Sequence, residues 1–215
     1  METRRTESFS DGVFAVAITV LIFNLLPIAK AGISAGELLR AWPQYVAYVV
    51  SFLTIGIVWL NHHSMFSRLS RVDRPLLALN LFLLMTVVAI PFPTALVADN
   101  LGPGSSSSGA KVATVVYGLV MIVMSITFSG MWVYLSSHHG ELVAKPLRTP
   151  LQSWVRFSAG LAGYVAATLI AAFVSSVVSL AIYGVIAVYY LFENLPEEKP
   201  AEGSDAPTVG AQAES

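Results

Sequence analysis

The 215-residue chain contains no cysteine. Disulfides, thiol catalysis and cysteine-based zinc or iron–sulfur sites are therefore excluded. Charged residues are also scarce, at 12% of the chain against about 25% in a soluble domain. A net charge of −1 indicates no particular partner class, and we expect no nucleic-acid partner. No nucleophile–base pair, phosphate loop or metal signature is present, so we expect neither an enzyme nor a cofactor.

Long apolar blocks dominate the chain, which is 55% apolar with a mean hydropathy of +0.70. Such blocks predict an all-α integral membrane protein with six transmembrane helices. The sequence lacks the alternation of apolar and polar residues that a transmembrane β-barrel would show. The predicted spans lie at about residues 10–28, 42–60, 75–98, 112–135, 154–173 and 177–192. Only Val174-Ser175-Ser176 separates the last two, but a single helix of their combined length would overshoot a hydrocarbon core of about 30 Å.

The distribution of positive charge predicts the orientation. Nine of the twelve Lys and Arg residues fall on one side of the predicted spans: Arg4, Arg5, Arg68, Arg71, Arg74, Lys145, Arg148, Arg156 and Lys199. The opposite side holds only Lys30, Arg40 and Lys111. The positive-inside rule assigns the first side to the cytoplasm, and an even number of spans places both termini there. We therefore expect a multi-pass protein of the cell membrane.

Residues 1–194 are predicted to form one transmembrane domain. Within it, the stretch 101–109 is rich in Gly and Ser and reads as a flexible outer loop. Residues 195–215 are rich in Pro, Glu, Ala, Gly and Ser and lack aromatics, which predicts a disordered cytoplasmic tail.

The first apolar segment also resembles a cleavable secretory signal peptide. Arg4-Arg5 precedes the apolar run, and Ala29-Lys30-Ala31 loosely matches a cleavage site. The residues that argue against cleavage are Glu2 and Glu7 in the basic region, Asp11 at the edge of the apolar run, and Pro27-Ile28 beside the site.

The first predicted helix has two faces that serve different neighbours. At about 100° per residue, an apolar arc of about 60° contains Val16, Val20 and Phe23, with Thr19 at one flank. Asp11 lies about 140° from Val16, so its carboxylate and the Ser10 hydroxyl are directed toward other parts of the protein. Periodicity alone is also consistent with ordinary lipid contact or bundle packing for the apolar arc.

The end of the second predicted span lies on the same side of the membrane as Asp11. Trp59 and His62 are three residues apart there and share a helix face. His62 could hydrogen-bond Asp11 or Ser10, and Arg5 could neutralise the acid, so that a costly charge is compensated. The alternative is an aromatic anchor beside solvated interface histidines.

Four histidines fall on this side, namely His62, His63, His138 and His139. Neighbours in a helix point about 100° apart, so His62 and His63 cannot jointly chelate one metal ion. A zinc site built from all four is conceivable, but no acidic cluster supports it.

The first helix resembles a family signature. Arg5-x-x-x-Phe9-Ser10-Asp11, followed by Gly-Val-Phe-Ala-Val-Ala-Ile-Thr, is similar to the signature of the transmembrane protein 175 family of potassium channels, in its single-repeat prokaryotic form. Further similar elements are Trp59-x-x-His62, Leu79-Asn80-Leu81 and Pro91-Phe92-Pro93-Thr94. With its six spans and cytoplasmic termini, the resemblance covers essentially the whole chain except the tail.

The resemblance implies a homotetramer of six-helix subunits in which the first helix of each subunit lines a central pore. The pore and selectivity residues that it implies are Val16, Thr19, Val20 and Phe23. The residues that it implies for a network anchoring the first helix are Arg5, Phe9, Ser10, Asp11, Trp59 and His62. Val16 is smaller than the Ile or Leu usual in the family's first layer, and Phe23 is bulkier than the usual aliphatic.

We expect a potassium-permeable cation channel of weak to moderate selectivity. A ring of apolar side chains acts through width and dewetting, and Thr19 is the candidate to offer oxygens to the ion. Voltage gating is not expected, because no span carries repeated Arg or Lys. The expected partners are other copies of the chain, the lipid bilayer and permeant monovalent cations, with no metal site beyond K⁺ in the pore.

Two other classes of function remain open. One is a proton-coupled secondary transporter that uses Asp11 and His62, although broken helices and charge near the midplane would be expected of it. The other is a purely structural protein of a membrane assembly.

Overall fold

The computed structural model describes residues 3–30, 34–102, 104, 106–138, 142–144 and 150–194. The predicted tail at 195–215, together with Lys145 and Arg148, lies outside the described residues. The helices are α1 (Thr3–Val20), which continues through a 3₁₀ segment (Leu21–Leu25) into α2 (Leu26–Lys30), then α3 (Ala35–Arg40), α4 (Trp42–Phe66), α5 (Arg74–Ala89), α6 (Pro91–Asn100), α7 (Ser107–Ser137), α8 (Pro150–Phe173) and α9 (Ser176–Asn194).

Four helical stretches of the described chain are long and apolar enough to cross a membrane. They are Thr3–Ile28, Trp42–Phe66, Arg74–Asn100 and Ser107–Ser137. The apolar stretches Ala159–Phe173 and Ser176–Leu191 belong to α8 and α9 and are shorter. The prediction of an all-helical, multi-pass membrane protein is therefore confirmed, while the count of six spans stays a prediction.

The first span changes helix type where proline removes a backbone donor. Pro27 has no N–H for the carbonyl of Phe23, and the Leu26 N–H donates to that carbonyl instead. This shorter bond belongs to the 3₁₀ segment Leu21–Leu25, and it gives the Phe23 carbonyl a hydrogen-bond donor inside the helix.

The third span is interrupted by proline in the same way. Pro91 cannot donate to Val87, whose carbonyl accepts from the Ile90 N–H at 3.1 Å. The Asn24 amide then donates to the Pro91 carbonyl at 3.3 Å and ties the two interrupted regions together.

The helices pack against one another in a bundle. The first span lies against α4 and α5, α4 also contacts α6 and α9, and α7 contacts α5, α6 and α8. Helices α8 and α9 form an antiparallel hairpin, in which Thr168 contacts Tyr183 and Gly160 lies beside Tyr190. The end of the bundle that holds Thr3, Phe66 and Ser137 is called the amino-terminal end below.

Buried hydroxyls join the middle of the bundle. Thr94 donates to the Ile90 carbonyl at 2.7 Å, so its oxygen accepts the Ser51 hydroxyl at 2.7 Å. Tyr117 in turn donates to Ser51 at 3.1 Å. Such bonds hold transmembrane helices together where lipid offers the polar groups no partner.

Close contact between α7 and the α8–α9 hairpin depends on Gly118. A Cβ atom at this position would overlap the hydroxyl oxygens of Thr168 and Tyr183, which hydrogen-bond each other at 3.1 Å. Gly130, on the same helix, has no neighbouring atom within 4 Å of such a Cβ.

We expect Gly118→Ala to destabilise the protein by about 1–3 kcal/mol, because the added methyl group overpacks the α7–α8 contact. Gly130→Ala is the matched control and should be neutral or stabilising by up to about 1 kcal/mol, since Ala favours a helix over Gly. Thermal unfolding in detergent measures both. Equal melting temperatures for the two variants would contradict the close approach.

Asp73 joins two helices at the amino-terminal end. Its carboxylate accepts the Leu76 N–H at 3.0 Å, which caps α5, and it also accepts the hydroxyl of Tyr134 on α7. Burial raises the pKa of Asp73, but the hydrogen bonds from Tyr134 and the backbone together outweigh it and lower that pKa.

A carboxylate with a lowered pKa stabilises the fold above its unfolded pKa of about 4 and loses this contribution as the pH falls through the lowered value. Wild type should therefore melt at a higher temperature than Asp73→Asn at pH 6, and the difference should shrink as the pH falls below about 4. Tyr134→Phe, which removes the donor, should show a smaller pH dependence than wild type. A difference in melting temperature between wild type and Asp73→Asn that stays constant from pH 3 to 7 would contradict a lowered pKa for Asp73.

Candidate functional site

One face of the first span is uncovered in the isolated subunit. Only 17% of its most apolar window is buried, against 39%, 50% and 44% for the other three candidate spans. Val16 and Phe23 are 59% and 60% exposed, and Thr19 is also exposed. Val20 is half-buried, whereas Ile22, which the helical projection did not select, is 46% exposed.

The 3₁₀ segment explains why the exposed positions after Val20 differ from those expected for a regular α-helix. A 3₁₀ helix advances about 120° per residue rather than about 100°, so the positions from Leu21 onward are rotated relative to a continuous α-helix. Phe23 remains on the exposed face and Ile22 joins it, while Leu21 is fully buried.

Thr19 is the one hydroxyl residue among the four predicted pore positions. Its hydroxyl donates to the Val16 carbonyl at 2.9 Å, so the hydrogen is held by the helix itself. The oxygen keeps lone pairs that can accept a hydrogen bond or coordinate a cation.

The opposite face of α1 is buried against α4 and α5. The residues buried on this face recur every three or four positions and are Thr6, Ser10, Phe14, Ala17 and Leu21. This spacing is typical of one stripe of an α-helix. The first span therefore has a packed face and an uncovered face.

A chain of buried hydrogen bonds crosses from α4 through α5 to α1. Ser10 donates to the Thr6 carbonyl at 2.9 Å, so its oxygen accepts the Asn80 amide N–H at 3.0 Å. The Asn80 carbonyl oxygen then accepts from His62 Nε2 at 2.8 Å. Because an amide oxygen cannot donate, the proton of the neutral imidazole lies on Nε2.

The His62 ring is fully enclosed. It stacks on Phe66 with ring centroids 4.2 Å apart and meets Phe14 at 5.4 Å. Its Nδ1 atom is buried without a hydrogen-bond partner. His62 is therefore a core residue of the subunit rather than a solvated histidine at the membrane interface.

A second chain of contacts lies nearer the amino-terminal end. The Trp59 indole N–H donates to Asp11 at 2.9 Å and its ring stacks on His63 with centroids 6.0 Å apart. His63 Nδ1 lies 3.0 Å from a carboxylate oxygen of Glu7. The carboxylates of Glu7 and Asp11 thus hold α1 to α4 at two points.

The structure brings together four of the six residues predicted to anchor α1: Ser10, Asp11, Trp59 and His62. The expected direct bond from His62 to Asp11 or Ser10 is not formed, because Asn80 lies between His62 and Ser10 and Trp59 takes Asp11. Arg5 and Phe9 are exposed on α1, and no carboxylate of the described chain pairs with Arg5.

Sequence reasoning missed the bridging role of Asn80 and the pair formed by Glu7 and His63. A lone amide inside an apolar span was a visible signal for Asn80. No comparable signal marked Glu7, which stands in a polar stretch. Among the described residues no three His, Asp or Glu side chains gather as a metal site, and His139 lies outside them.

Comparison with known proteins identifies the family. Residues 5–91 match the model of the TMEM175 family, described as endosomal/lysosomal potassium channel TMEM175. A protein of Streptomyces collinus named a potassium channel is 44% identical over 91% of this chain and 94% of its own length. Another so named, from Chamaesiphon minutus, is 36% identical over 88% of this chain and 93% of its own.

A solved structure supports the same assignment. The crystal structure of a lysosomal potassium-selective channel TMEM175 homolog from Chamaesiphon minutus superposes with a TM-score of 0.73 at 32% identity, covering 89% of this chain and 97% of that one. The resemblance predicted from the opening motif is confirmed, as is the expectation that the chain is not an enzyme. The chain belongs to the TMEM175 family of ion channels.

Proposed function

We propose that this chain is a potassium-permeable cation channel whose pore is lined by the first span of four identical subunits. The relatives named as potassium channels support the permeant ion. The observation that supports this architecture is the uncovered face of the first span, which exposes Val16, Thr19 and Phe23, while the stripe from Thr6 to Leu21 on the opposite face is buried.

Arg5 and Phe9 extend this uncovered face toward the amino-terminal end. At about 100° per residue both lie within about 20° of Val16 on the helix wheel. Both are exposed in the subunit. In the proposed tetramer these two residues contact the first spans of other subunits and not α4. This contact between subunits takes the place of the anchoring role predicted for them.

The conduction mechanism follows from the chemistry of the exposed face. Rings of Val16, Val20 and Phe23 provide no ligands to replace an ion's hydration shell, so they restrict ions through width and dewetting. Thr19 contributes one oxygen per subunit between these rings. Selectivity for K⁺ over Na⁺ is therefore weak to moderate, and no repeated charge in the spans provides a voltage sensor.

The buried network sets the position of the pore helix. The bonds from Ser10 through Asn80 to His62 fix α1 against α4 and α5, and Asp11 adds the bond to Trp59. A proton-coupled transporter would require exchange between Asp11 and His62. In the described part of the chain these two residues bond to different partners.

The orientation and location are part of the same proposal. The amino-terminal end carries Arg4, Arg5, Arg68, Arg71 and Arg74, and it faces the cytoplasm by the positive-inside rule. Helices α8 and α9, with 24 and 19 residues, complete six spans and return the chain to that side. The protein then spans the cell membrane with both termini in the cytoplasm.

Planar-bilayer recording of the purified protein under a K⁺ gradient tests the function. We expect single-channel current steps for wild type and, for Thr19→Val, a K⁺/Na⁺ permeability ratio lowered by about twofold or more, because the pore loses its ring of side-chain oxygens. Thr19→Ser keeps the oxygen and should retain most of the ratio. Saturable stoichiometric exchange without current steps would overturn the channel proposal, and an unchanged ratio in Thr19→Val would remove Thr19 from the filter.

Asn80→Leu tests the anchoring network. The substitution leaves His62 Nε2 and the backbone-bonded Ser10 without their partner, at a cost of about 1–3 kcal/mol per unsatisfied buried group. We expect a lower melting temperature and less stable channel openings in recordings. Asn100→Leu is the control, since Asn100 donates only to its own helix at Leu96. Identical effects of the two substitutions on openings would show that Asn80 does not position the pore helix.

A further inference from the structure

The uncovered face of the first span carries a positive charge at its amino-terminal end. Arg5 lies about 20° from Val16 on the helix wheel, whereas Arg4 lies about 120° from it. Both arginine side chains are exposed. The distance from Arg5 to Val16 along the helix axis is about 16 Å at 1.5 Å per residue. Arg5 therefore lies at the entrance to the proposed pore, outside the first apolar ring.

The two acidic residues near the start of α1 point away from Arg5. Glu7 is directed about 160° away from Arg5, and its carboxylate lies 3.0 Å from His63 Nδ1. Asp11 accepts the indole N–H of Trp59 at 2.9 Å. Both carboxylates are thus engaged by α4, and no carboxylate of the described residues pairs with Arg5. The charge of Arg5 is left uncompensated on the uncovered face.

Helix stability does not account for a cation at this position. The amino-terminal end of a helix carries a positive partial charge of about half a unit, which disfavours a cation in the first turn. Helix α1 begins at Thr3, so Arg5 lies in that turn. The positive-inside rule accounts for a cation at this end of the span, but not for one on the face proposed to line the pore.

The charge of Arg5 acts on ions according to their valence. In the proposed tetramer, four guanidinium groups and four positive helix ends surround one entrance, and the exposed residues of the same face from Val16 to Leu26 are uncharged. A positive potential lowers the local concentration of a cation by a factor that grows exponentially with the ion's charge. At a potential of about one kT per unit charge, K⁺ falls about threefold and Ca²⁺ about sevenfold.

We propose, on the basis of the tetrameric channel proposed above, that Arg5 determines which valence of cation enters the pore from the cytoplasmic side. The ring of four Arg5 side chains admits monovalent cations and excludes divalent ones. The apolar rings deeper in the pore restrict ions by width and hydration, and Arg5 adds a restriction by charge. The same potential slows the entry of K⁺ at low salt, where it is least screened.

Planar-bilayer recordings of the full chain with K⁺ on one side and Ca²⁺ on the other measure the Ca²⁺/K⁺ permeability ratio. We expect Arg5→Gln to raise this ratio by about twofold or more at 0.1 M salt, because the entrance loses its positive charge. Arg5→Lys keeps the charge and should remain close to wild type. Arg4→Gln is the matched control, because it removes an exposed charge that lies off the uncovered face, and it should change the ratio by less than half as much.

Screening by salt provides a second measurement that a purely structural role of Arg5 would not move. The Debye length is about 10 Å at 0.1 M salt and about 3 Å at 1 M. The single-channel K⁺ conductance of wild type should therefore be about twofold lower than that of Arg5→Gln at 0.1 M KCl, and the two conductances should converge at 1 M.

The absence of cysteine from the chain allows the charge at this position to be set in the assembled channel. The Arg5→Cys variant can be modified during recording with a methanethiosulfonate reagent that carries either an ammonium or a sulfonate group. The attached ammonium group should lower the Ca²⁺/K⁺ permeability ratio, and the attached sulfonate group should raise it. A residue that acts only through packing would respond in the same direction to both groups.

The outcomes separate this inference from the channel proposal. Absence of current steps in wild type overturns the channel proposal, and the role of Arg5 with it. Current steps with the same Ca²⁺/K⁺ ratio in wild type and Arg5→Gln, or a ratio that moves in one direction with both reagents, overturn the role of Arg5 alone.

Discussion

The side-chain amide of Asn80 holds the first span to the rest of the subunit through two hydrogen bonds of opposite sense. Its oxygen accepts from His62 on α4 and its nitrogen donates to Ser10 on α1. In a bilayer core no water can substitute for either partner. The amide bonds to the same face of α1 on which Phe14, Ala17 and Leu21 are buried, and the opposite face of the helix is left uncovered.

The need for every backbone carbonyl in the membrane to have a hydrogen-bond donor imposes a second constraint, at the other end of the first span. Pro27 and Pro91 each remove a donor, and each loss is met by a shorter bond within the chain. The Asn24 amide links the two interrupted regions. The resulting 3₁₀ segment rotates the end of the uncovered face, so that Ile22 joins Phe23 there. The proline at position 27 thus affects which side chains face the proposed pore.

Much of the site was identifiable from the sequence because its members are polar residues in apolar surroundings. Ser10, Asp11 and His62 were singled out for that reason, and Trp59 because it shares a helix face with His62 and a family motif. The structure joins Trp59 to Asp11, and His62 to Ser10 through Asn80. Their pairing was not predictable. Whether Asp11 bonds His62 or Trp59 depends on the relative rotation and axial offset of two helices, which no local pattern encodes. Arg5 and Phe9 were assigned to the anchor by resemblance, and the structure leaves them on the exposed stripe.

The sequence by itself determined that the protein is an all-helical membrane protein and which family it belongs to, because hydrophobic length and the opening motif are local properties of the chain. It also singled out Val16, Thr19 and Phe23, since helical periodicity is regular up to the 3₁₀ segment. Only the tertiary structure decided that Asn80 bridges Ser10 and His62, and that Asp11 bonds Trp59. These features arise from contacts between residues far apart in the chain, whose distances depend on how the helices pack.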